Sequence, residues 1–253
     1  MKFKIRRFDG EKSWFDTYDV KAMPHMSVLD ALFQIQDEQD STLAFRYSCR
    51  GAVCGSCAML INKKHRLACR TQVSGISGEK VLGIAKYGPL AKPEIKTGNE
   101  ILVEPLPSMP VIRDLIVDIE HFLRHYEGVK PWFVGGETLP ETEMLMSPRD
   151  LEKVKNYAEC ILCGLCYGAC PSFARDGDFI GPAALAKAWR FYADSRSKNR
   201  EEIVDRVDAT KGIWACDEVY RCVEVCPKQV RPTNAITGLM RGTIKHRIKT
   251  IFR

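Results

Sequence analysis

Eleven cysteines are the residues of this 253-residue chain best suited to chemistry, and they fall into closely spaced runs. The densest run, residues 160–171, has the spacing C-x2-C-x2-C-x3-C-P, with which bacterial ferredoxins hold iron–sulfur clusters. The first three thiolates of such a run bind one cluster, whereas the fourth binds the other cluster of a pair. The run therefore predicts a second set of cysteines, which the sequence supplies in residues 216–227.

The second run lacks one cysteine, because Val219 stands at the position of its second thiol. Exchange of the fourth ligands between the runs gives a set of four thiols, which consists of Cys160, Cys163, Cys166 and Cys226. It also gives a set of three thiols, which consists of Cys170, Cys216 and Cys222. Four thiolates predict a 4Fe–4S cluster, and three predict a 3Fe–4S cluster, since an iron beside Val219 would lack a protein ligand. Binding of a fourth iron through water or hydroxide beside Val219 stays open as an alternative.

A third set of cysteines lies nearer the N-terminus and consists of Cys49, Cys54, Cys57 and Cys69. C-x4-C-x2-C followed by a distant fourth cysteine is the plant-type pattern for a 2Fe–2S cluster. Gly51 and Gly55 suit a loop whose backbone must approach sulfur closely and donate N–H bonds to it. A structural zinc site with four cysteine ligands is the alternative, although such sites usually join two C-x2-C pairs and this set has one. The three sets use every cysteine, which argues against unrelated core cysteines.

The composition argues against several other classes of protein. A net charge of +6 gives little support for binding to nucleic acid. Thiols in this number indicate a reducing compartment. No apolar run approaches the roughly 18 residues of a membrane helix, and the first ten residues lack the apolar core of a signal peptide. We therefore expect any work at a membrane to depend on docking through partners.

The elements that must position the N-terminal thiols predict a small α+β domain over residues 1–105. Strands at 2–8 and 14–20 flank an Asp9-Gly10 turn, and a capped helix follows Ser27. A strand leads out of the thiol loop at 58–61, and a closing strand lies at 101–104. This order is typical of a β-grasp 2Fe–2S ferredoxin-like domain.

Helical patterns predominate after a proline-rich linker at 105–110, so residues 106–253 are predicted to form an all-α, bacterial ferredoxin-like domain with two clusters. The patterns indicate helices over 112–126, from Pro148 up to the first thiol run, and from Pro182 and Pro232. His121 and His125, four residues apart, are interpreted as surface histidines. The last helix ends in a basic segment without acidic residues, for which a solvated face and contact with anionic lipid are both considered.

These motifs together resemble the iron–sulfur subunit of succinate dehydrogenase and fumarate reductase over essentially the whole length. The resemblance rests on residues 48–57, 160–171, 179–184 and 212–228. It implies a flavoprotein partner that holds FAD and the dicarboxylate, and a transmembrane anchor subunit, with or without haem. It places the chain on the cytoplasmic side of the inner (plasma) membrane, held there by the anchor.

The function implied is the relay of single electrons between FAD and a quinone, either menaquinone or ubiquinone, with no catalytic acid or base in this chain. The family's quinone pocket carries over to Pro171, Ser172 and Asp217. The tryptophan that the dehydrogenases often have a few residues beyond the proline is absent, as is a histidine near Asp217. Both departures favour a menaquinol:fumarate reductase. The structural alternative is that Ser172 caps a helix and Asp217 pairs with a cation.

Two further functions remain as alternatives. One is the iron–sulfur subunit of another flavoprotein oxidoreductase, such as a thiol-dependent fumarate reductase or a heterodisulfide-type enzyme, which the lack of a further cysteine-rich domain after Cys226 disfavours. The other is a zinc-stapled interaction protein without redox activity. Iron with acid-labile sulfide would distinguish the redox proteins from the zinc protein.

Overall fold

The first strand of the chain lies inside a five-stranded sheet whose strand order is β2-β1-β7-β3-β4. The computed structural model describes residues 1–81, 95–96, 100–136 and 141–252. The sheet strands are β1 (Lys2–Phe8), β2 (Ser13–Asp19), β3 (Ala58–Ile61), β4 (Lys64–Leu67) and β7 (Glu100–Glu104). The short pairs beside it are β5 (Lys80–Val81) with β6 (Ile95–Lys96) and β8 (Val111–Arg113) with β9 (Ile116–Val117). Strands β1 and β7 run parallel, and the other neighbours run antiparallel.

The helix α1 (Val28–Glu38) packs its apolar face into the core of this sheet-containing unit, and a short helix α2 (Val73–Ile76) follows β4. A reciprocal capping box starts α1, because the Asp30 N–H donates to Ser27 Oγ (3.2 Å) and the Ser27 N–H donates to the Asp30 carboxylate (2.9 Å). The buried side of α1 consists of Val28, Leu29, Ala31, Leu32 and Ile35. The predicted hairpin and capped helix are therefore confirmed.

A buried arginine fixes the end of the first compact unit, which spans Met1–Asp118. The Arg7 side chain is 5% exposed and donates to Asp114 Oδ1 at 2.9 Å. The same carboxylate accepts the N–H groups of Phe8 and Ala44 at 3.0 and 2.9 Å. Because Asp114 lies in the turn between β8 and β9, these bonds hold that hairpin in the first unit. The sequence placed residues 106–118 in the second domain, whereas the structure divides the chain after Asp118.

The helix predicted over 112–126 begins later than expected. Residues 111–117 form the β8–β9 hairpin, and α3 starts at Glu120. The apolar spacing of this stretch fits a helix, but the hydrogen bonds of Asp114 satisfy backbone groups elsewhere in the first unit and override it. The prediction was therefore wrong for the first half of the segment.

The second unit, Ile119–Arg253, contains helices and turns and no strand within the described residues 119–136 and 141–252. Its helices are α3 (Glu120–Gly128), α4 (Pro148–Ala158), α5 (Leu165–Gly168), α6 (Pro171–Arg175), α7 (Pro182–Tyr192), α8 (Arg200–Val207), α9 (Arg221–Glu224) and α10 (Pro232–Ile251), with a 3-10 turn at Ile213–Ala215. The predicted starts at Pro148, Pro182 and Pro232 are confirmed. The α+β class thus holds as a sheet-containing unit followed by a helical one.

Helix α7 lies centrally in the second unit and packs against α3, α4, α8 and α10. Two glycines of α10 permit the closest approach. A Cβ at Gly238 would lie 2.5 Å from the ring of Trp189, and one at Gly242 would lie 2.7 Å from the ring of Tyr192. Both distances are far below van der Waals contact, so larger residues would push the two helices apart.

Among the residues that the structure describes, no helix combines the length and the apolarity needed to cross a bilayer.

Candidate metal centres

The β3–β4 hairpin brings together two thiols that are distant in the sequence. Cys57 directly precedes β3 and Cys69 follows β4. The Cys69 N–H donates to Cys57 Sγ at 3.5 Å, and the Ala68 N–H donates to the Cys57 carbonyl at 3.0 Å. Strand pairing therefore positions the distant fourth cysteine beside the loop that carries the other three.

The loop from Cys49 to Cys57 directs its backbone N–H groups at sulfur. Cys49 Sγ accepts the N–H groups of Gly51, Val53 and Cys54, each at 3.3 Å. Hydrogen bonds from N–H groups to a cluster sulfur tune the properties of a bound iron–sulfur cluster. All eleven cysteines of the chain lie in the described residues and are free thiols.

The two glycines of this loop differ in importance. Gly55 has a φ of +75°, the left-handed conformation for which glycine is suited. A Cβ at Gly51 would meet only the Cys49 carbonyl at 3.7 Å, so the expected need for glycine there is not supported. Its neighbours Arg50 and Ala52 instead adopt φ values of +55° and +57°. The strain that curls the loop is therefore carried by two non-glycine residues.

A cavity of about 410 Å³, counting space open to solvent, is lined by the four thiols predicted to act together. These are Cys160, Cys163, Cys166 and Cys226. Much of the remaining wall is apolar and includes Leu165, Ala183, Ala186, Val230 and Pro232. Cys226, which follows α9 at the end of the second run, thus meets the three thiols of the first run, and Cys170 lies in another cavity.

A second cavity, of about 290 Å³ by the same measure, is lined by the other three thiols and by Val219. These thiols are Cys170, Cys216 and Cys222. Cys170 is the N-cap of α6, and its Sγ accepts the Phe173 N–H at 3.4 Å. Cys222 Sγ lies 3.1 Å from the hydroxyl of Thr233, the second residue of α10. The cavity therefore has three thiols and an aliphatic side chain on its wall.

The thiols around both cavities suit a group that carries positive charge. Burial raises the pKa of Cys163 to about 12 and that of Cys216 to about 11. Buried thiolates in such sets repel one another, so they persist only where metal ions compensate their charge. A single zinc would require its sulfur ligands at about 2.3 Å from one point. Among the described residues, no group of three or more His, Cys, Asp or Glu side chains is arranged to hold a single metal ion.

The three residues predicted to contact quinone lie beside the second cavity. Pro171 and Ser172 line it, and Ser172 is 2% exposed. The Ser172 hydroxyl donates to Asp217 Oδ2 at 2.9 Å, and the Asp217 N–H donates to Ser172 Oγ at 3.3 Å. Arg175 donates to both Asp217 oxygens, at 2.8 and 3.2 Å, and its charge lowers the pKa of that carboxyl. The structural alternative is thus confirmed for Asp217, which pairs with Arg175, but not for Ser172, because the N-cap of α6 is Cys170.

The histidines at 121 and 125 are half-buried rather than on the surface as predicted. Their rings lie 4.2 Å apart, and both pack against Phe173 of α6, at 6.0 and 6.3 Å. Burial lowers the pKa of His125 to about 4. The signal in the sequence was their spacing of four residues on a helix, but the partner that buries them is distant in the chain.

Comparison with known proteins agrees with this geometry. Residues 2–124 match the family model described as a 2Fe-2S iron-sulfur cluster binding domain, and residues 156–230 match a 4Fe-4S dicluster domain. The fumarate reductase iron-sulfur subunit of Haemophilus influenzae is 36% identical over 93% of this chain and 90% of its own length. The chain belongs to the family of fumarate reductase and succinate dehydrogenase iron–sulfur subunits.

Two further relatives support the same assignment. The succinate dehydrogenase iron-sulfur subunit of Paracoccus denitrificans is 36% identical over 94% of this chain and 86% of its own length. A chain of the solved Mycobacterium smegmatis Sdh1 complex, in its apo form, superimposes with a TM-score of 0.79 at 25% identity and covers 98% of this chain and 96% of its own. This iron–sulfur subunit is thus an electron-transfer component of an oxidoreductase complex.

Proposed function

We propose that the iron–sulfur subunit relays single electrons between FAD in a flavoprotein partner and a quinone at a membrane anchor. The observation that carries the proposal is the interleaving of the two thiol runs around two cavities. When bound, the clusters supply one-electron carriers in series.

The ligand sets follow from the thiols that share a cavity or a hairpin. The 4Fe–4S ligands would be Cys160, Cys163, Cys166 and Cys226. The 3Fe–4S ligands would be Cys170, Cys216 and Cys222. The 2Fe–2S ligands would be Cys49, Cys54, Cys57 and Cys69, in a β-grasp domain whose sheet order supports a plant-type ferredoxin fold. The chain's own work is to hold these sulfurs, donate N–H bonds to them and exclude water with apolar walls.

Val219 is the reason why we propose three irons, rather than four, in the second cavity. Its side chain has no atom that can bind iron, and it lies on the wall at the position where the first run has a cysteine. Three thiolates therefore remain for a cluster that has no ligand for a fourth iron.

The quinone end of the relay would lie at Pro171, Ser172 and Asp217. The Ser172 hydroxyl already donates to Asp217, so a quinone oxygen would have to compete with that carboxylate for it. The absence of a tryptophan after Pro171 and of a histidine near Asp217 favours a menaquinol:fumarate reductase. An anchor subunit would hold the chain on the cytoplasmic side of the membrane.

Spectroscopy of the anaerobically purified complex tests this proposal. Iron with acid-labile sulfide, and a 3Fe–4S signal in the EPR spectrum of the oxidised protein, are expected. In the Val219→Cys variant the added thiol supplies the missing ligand, so the oxidised signal should be lost in favour of a 4Fe–4S signal on reduction. Val219→Ala is the matched control and should retain the oxidised signal, because alanine adds no ligand.

Two results would contradict the proposal. Zinc without sulfide would exclude electron transfer altogether. A wild-type protein that is EPR-silent when oxidised, with two 4Fe–4S signals on reduction, would show that a fourth iron binds beside Val219 without a thiolate.

A further inference from the structure

The last three turns of α10 expose a stripe of apolar side chains. Ile244 and Ile248 are 48% and 50% exposed, and Ile251 and Phe252 are 77% and 85% exposed. Positions 244, 248 and 251 follow one line along a helix of 3.6 residues per turn. The opposite face is buried and consists of Ala235, Ile236, Leu239, Gly242 and Thr243. The stripe is therefore separate from the side that holds the helix in the unit.

Positive charge flanks this stripe on both sides. Arg241, Lys245 and Lys249 follow each other at intervals of four, so they form a row next to the isoleucines, and all three are exposed. Arg247 lies on the other side, where its guanidinium donates to Asp208 at 2.7 Å. No aspartate or glutamate occurs after residue 224.

An aromatic residue extends the surface beyond the helix. Trp214, in the 3-10 turn before the second thiol run, is 40% exposed. The Arg247 guanidinium lies 5.5 Å from the centre of its ring, and the Trp214 indole N–H donates to Asp208 at 2.7 Å. Tryptophan with an apolar body and a bonded polar edge is a residue type enriched at membrane interfaces.

We propose that this surface, residues 241–251 of α10 together with Phe252 and Trp214, binds anionic phospholipid directly. A short apolar stripe between rows of cations is the pattern of a helix that lies in the plane of a membrane surface, with aliphatic side chains at the acyl boundary and cations among the headgroups. Complementary charge selects the occupant. The exposed cations of α10, which has no acidic residue of its own, attract a leaflet of negative lipids, whereas the apolar stripe alone would not distinguish lipid from protein.

The charged row sets the expected size of the effect. Each lysine or arginine near an anionic membrane surface strengthens binding by about fivefold. Replacement of all three residues of the row should therefore weaken binding on the order of a hundredfold. The attraction is screened by salt over about 10 Å at 0.1 M, so binding should also weaken as salt is raised.

Vesicle sedimentation with the full chain, its clusters intact, tests the proposal. The wild type should bind vesicles of phosphatidylglycerol and phosphatidylcholine and bind vesicles of phosphatidylcholine alone far more weakly. The Arg241→Gln/Lys245→Gln/Lys249→Gln variant should lose about a hundredfold in affinity for the mixed vesicles. The matched control is Arg149→Gln/Lys153→Gln/Lys155→Gln on α4, which removes the same charge from another exposed face and should bind like the wild type.

Iron content and visible absorption, expected to be unchanged in both triple variants, show whether the second unit is intact. If the two triple variants bound the vesicles equally well, net charge alone would explain the loss of binding, and the proposal would be overturned. Failure of the wild type to prefer phosphatidylglycerol would overturn it as well. If the α10 variant then failed to assemble with the anchor, the surface would be a protein interface instead. None of these results depends on cluster type at Val219, so they are distinguishable from failure of the proposed electron relay.

Discussion

Replacement of Gly181 by alanine should destabilise the second unit strongly. Gly181 is the N-cap of α7 and has a φ of +90°. A Cβ there would lie 2.5 Å from the phenol oxygen of Tyr167. Tyr167 has no exposed surface and packs edge-on against Phe122 and Phe173 at 4.7 and 4.8 Å. The ring therefore has no space into which it could move.

Two costs add at this position. An alanine held at this backbone conformation is strained by about 1–3 kcal/mol, and an extra methyl in a filled core costs about 1–3 kcal/mol. Their sum is about 4 kcal/mol, and for a chain of this size each kcal/mol lowers the unfolding temperature by about 3 °C. We therefore expect the unfolding temperature of Gly181→Ala to be about 12 °C below that of the wild type.

Circular dichroism under anaerobic conditions, at one scan rate for all variants, measures this change. Gly177→Ala is the matched control, since a Cβ there meets nothing within 4 Å, and it should stay within about 2 °C of the wild type. Tyr167→Leu removes the ring that the added methyl would meet. In the Tyr167→Leu background, Gly181→Ala should therefore lower the unfolding temperature only through its strained backbone. A Gly181→Ala variant that unfolds with the wild type would refute the claim that Tyr167 fills this space.

Three further predictions concern charge. Asp217→Asn should raise the midpoint potential of the centre at Cys170, Cys216 and Cys222 by about 20–60 mV, because a negative charge beside it is lost. Arg175→Gln should lower this midpoint potential, because the negative charge of Asp217 is then uncompensated. EPR-monitored redox titration measures the potential in both variants. Shifts of the same sign would contradict the reasoning. Burial alone would raise the pKa of Asp194, but hydrogen bonds from Arg196 and Arg190 lower it to about 2. The stabilisation that ionised Asp194 provides is therefore complete above its unfolded-state pKa of about 4. It is lost as pH falls towards its folded-state pKa. Asp194→Asn should lower the free energy of unfolding by about 2 kcal/mol. Urea unfolding should show the same loss at every pH from 8 to 5, and a loss that shrinks over that range would contradict the reasoning.

Local signals in the sequence predicted those parts of the fold that local chemistry determines. Ser27 and Asp30 identified the start of α1, and the prolines at 148, 182 and 232 identified three helix starts. The thiol spacing also predicted which cysteines line each cavity, although iron ligation itself remains a proposal. In each case the residues that decide the outcome are close in sequence or belong to a pattern with a fixed spacing.

Contacts between distant residues account for what the sequence did not predict. The β8–β9 hairpin depends on Asp114, whose partner Arg7 lies 107 positions earlier. The sequence suggested that Asp217 pairs with a cation but did not identify Arg175, which lies 42 positions away. The strained backbone at Arg50 depends on the path of the whole loop rather than on a glycine. Such contacts leave no periodic signal, so single-sequence reasoning cannot locate them.

The crossed arrangement of the thiol runs has a consequence for biosynthesis. The cavity begun by Cys160 stays open until Cys226 has been synthesised, and Pro232 of α10 is also part of its wall. A nascent chain on the ribosome therefore carries three thiols on an unfinished apolar surface while most of the second unit is still being made. The complete set of four thiols, and with it the proposed 4Fe–4S site, therefore forms only after residue 226 has been synthesised.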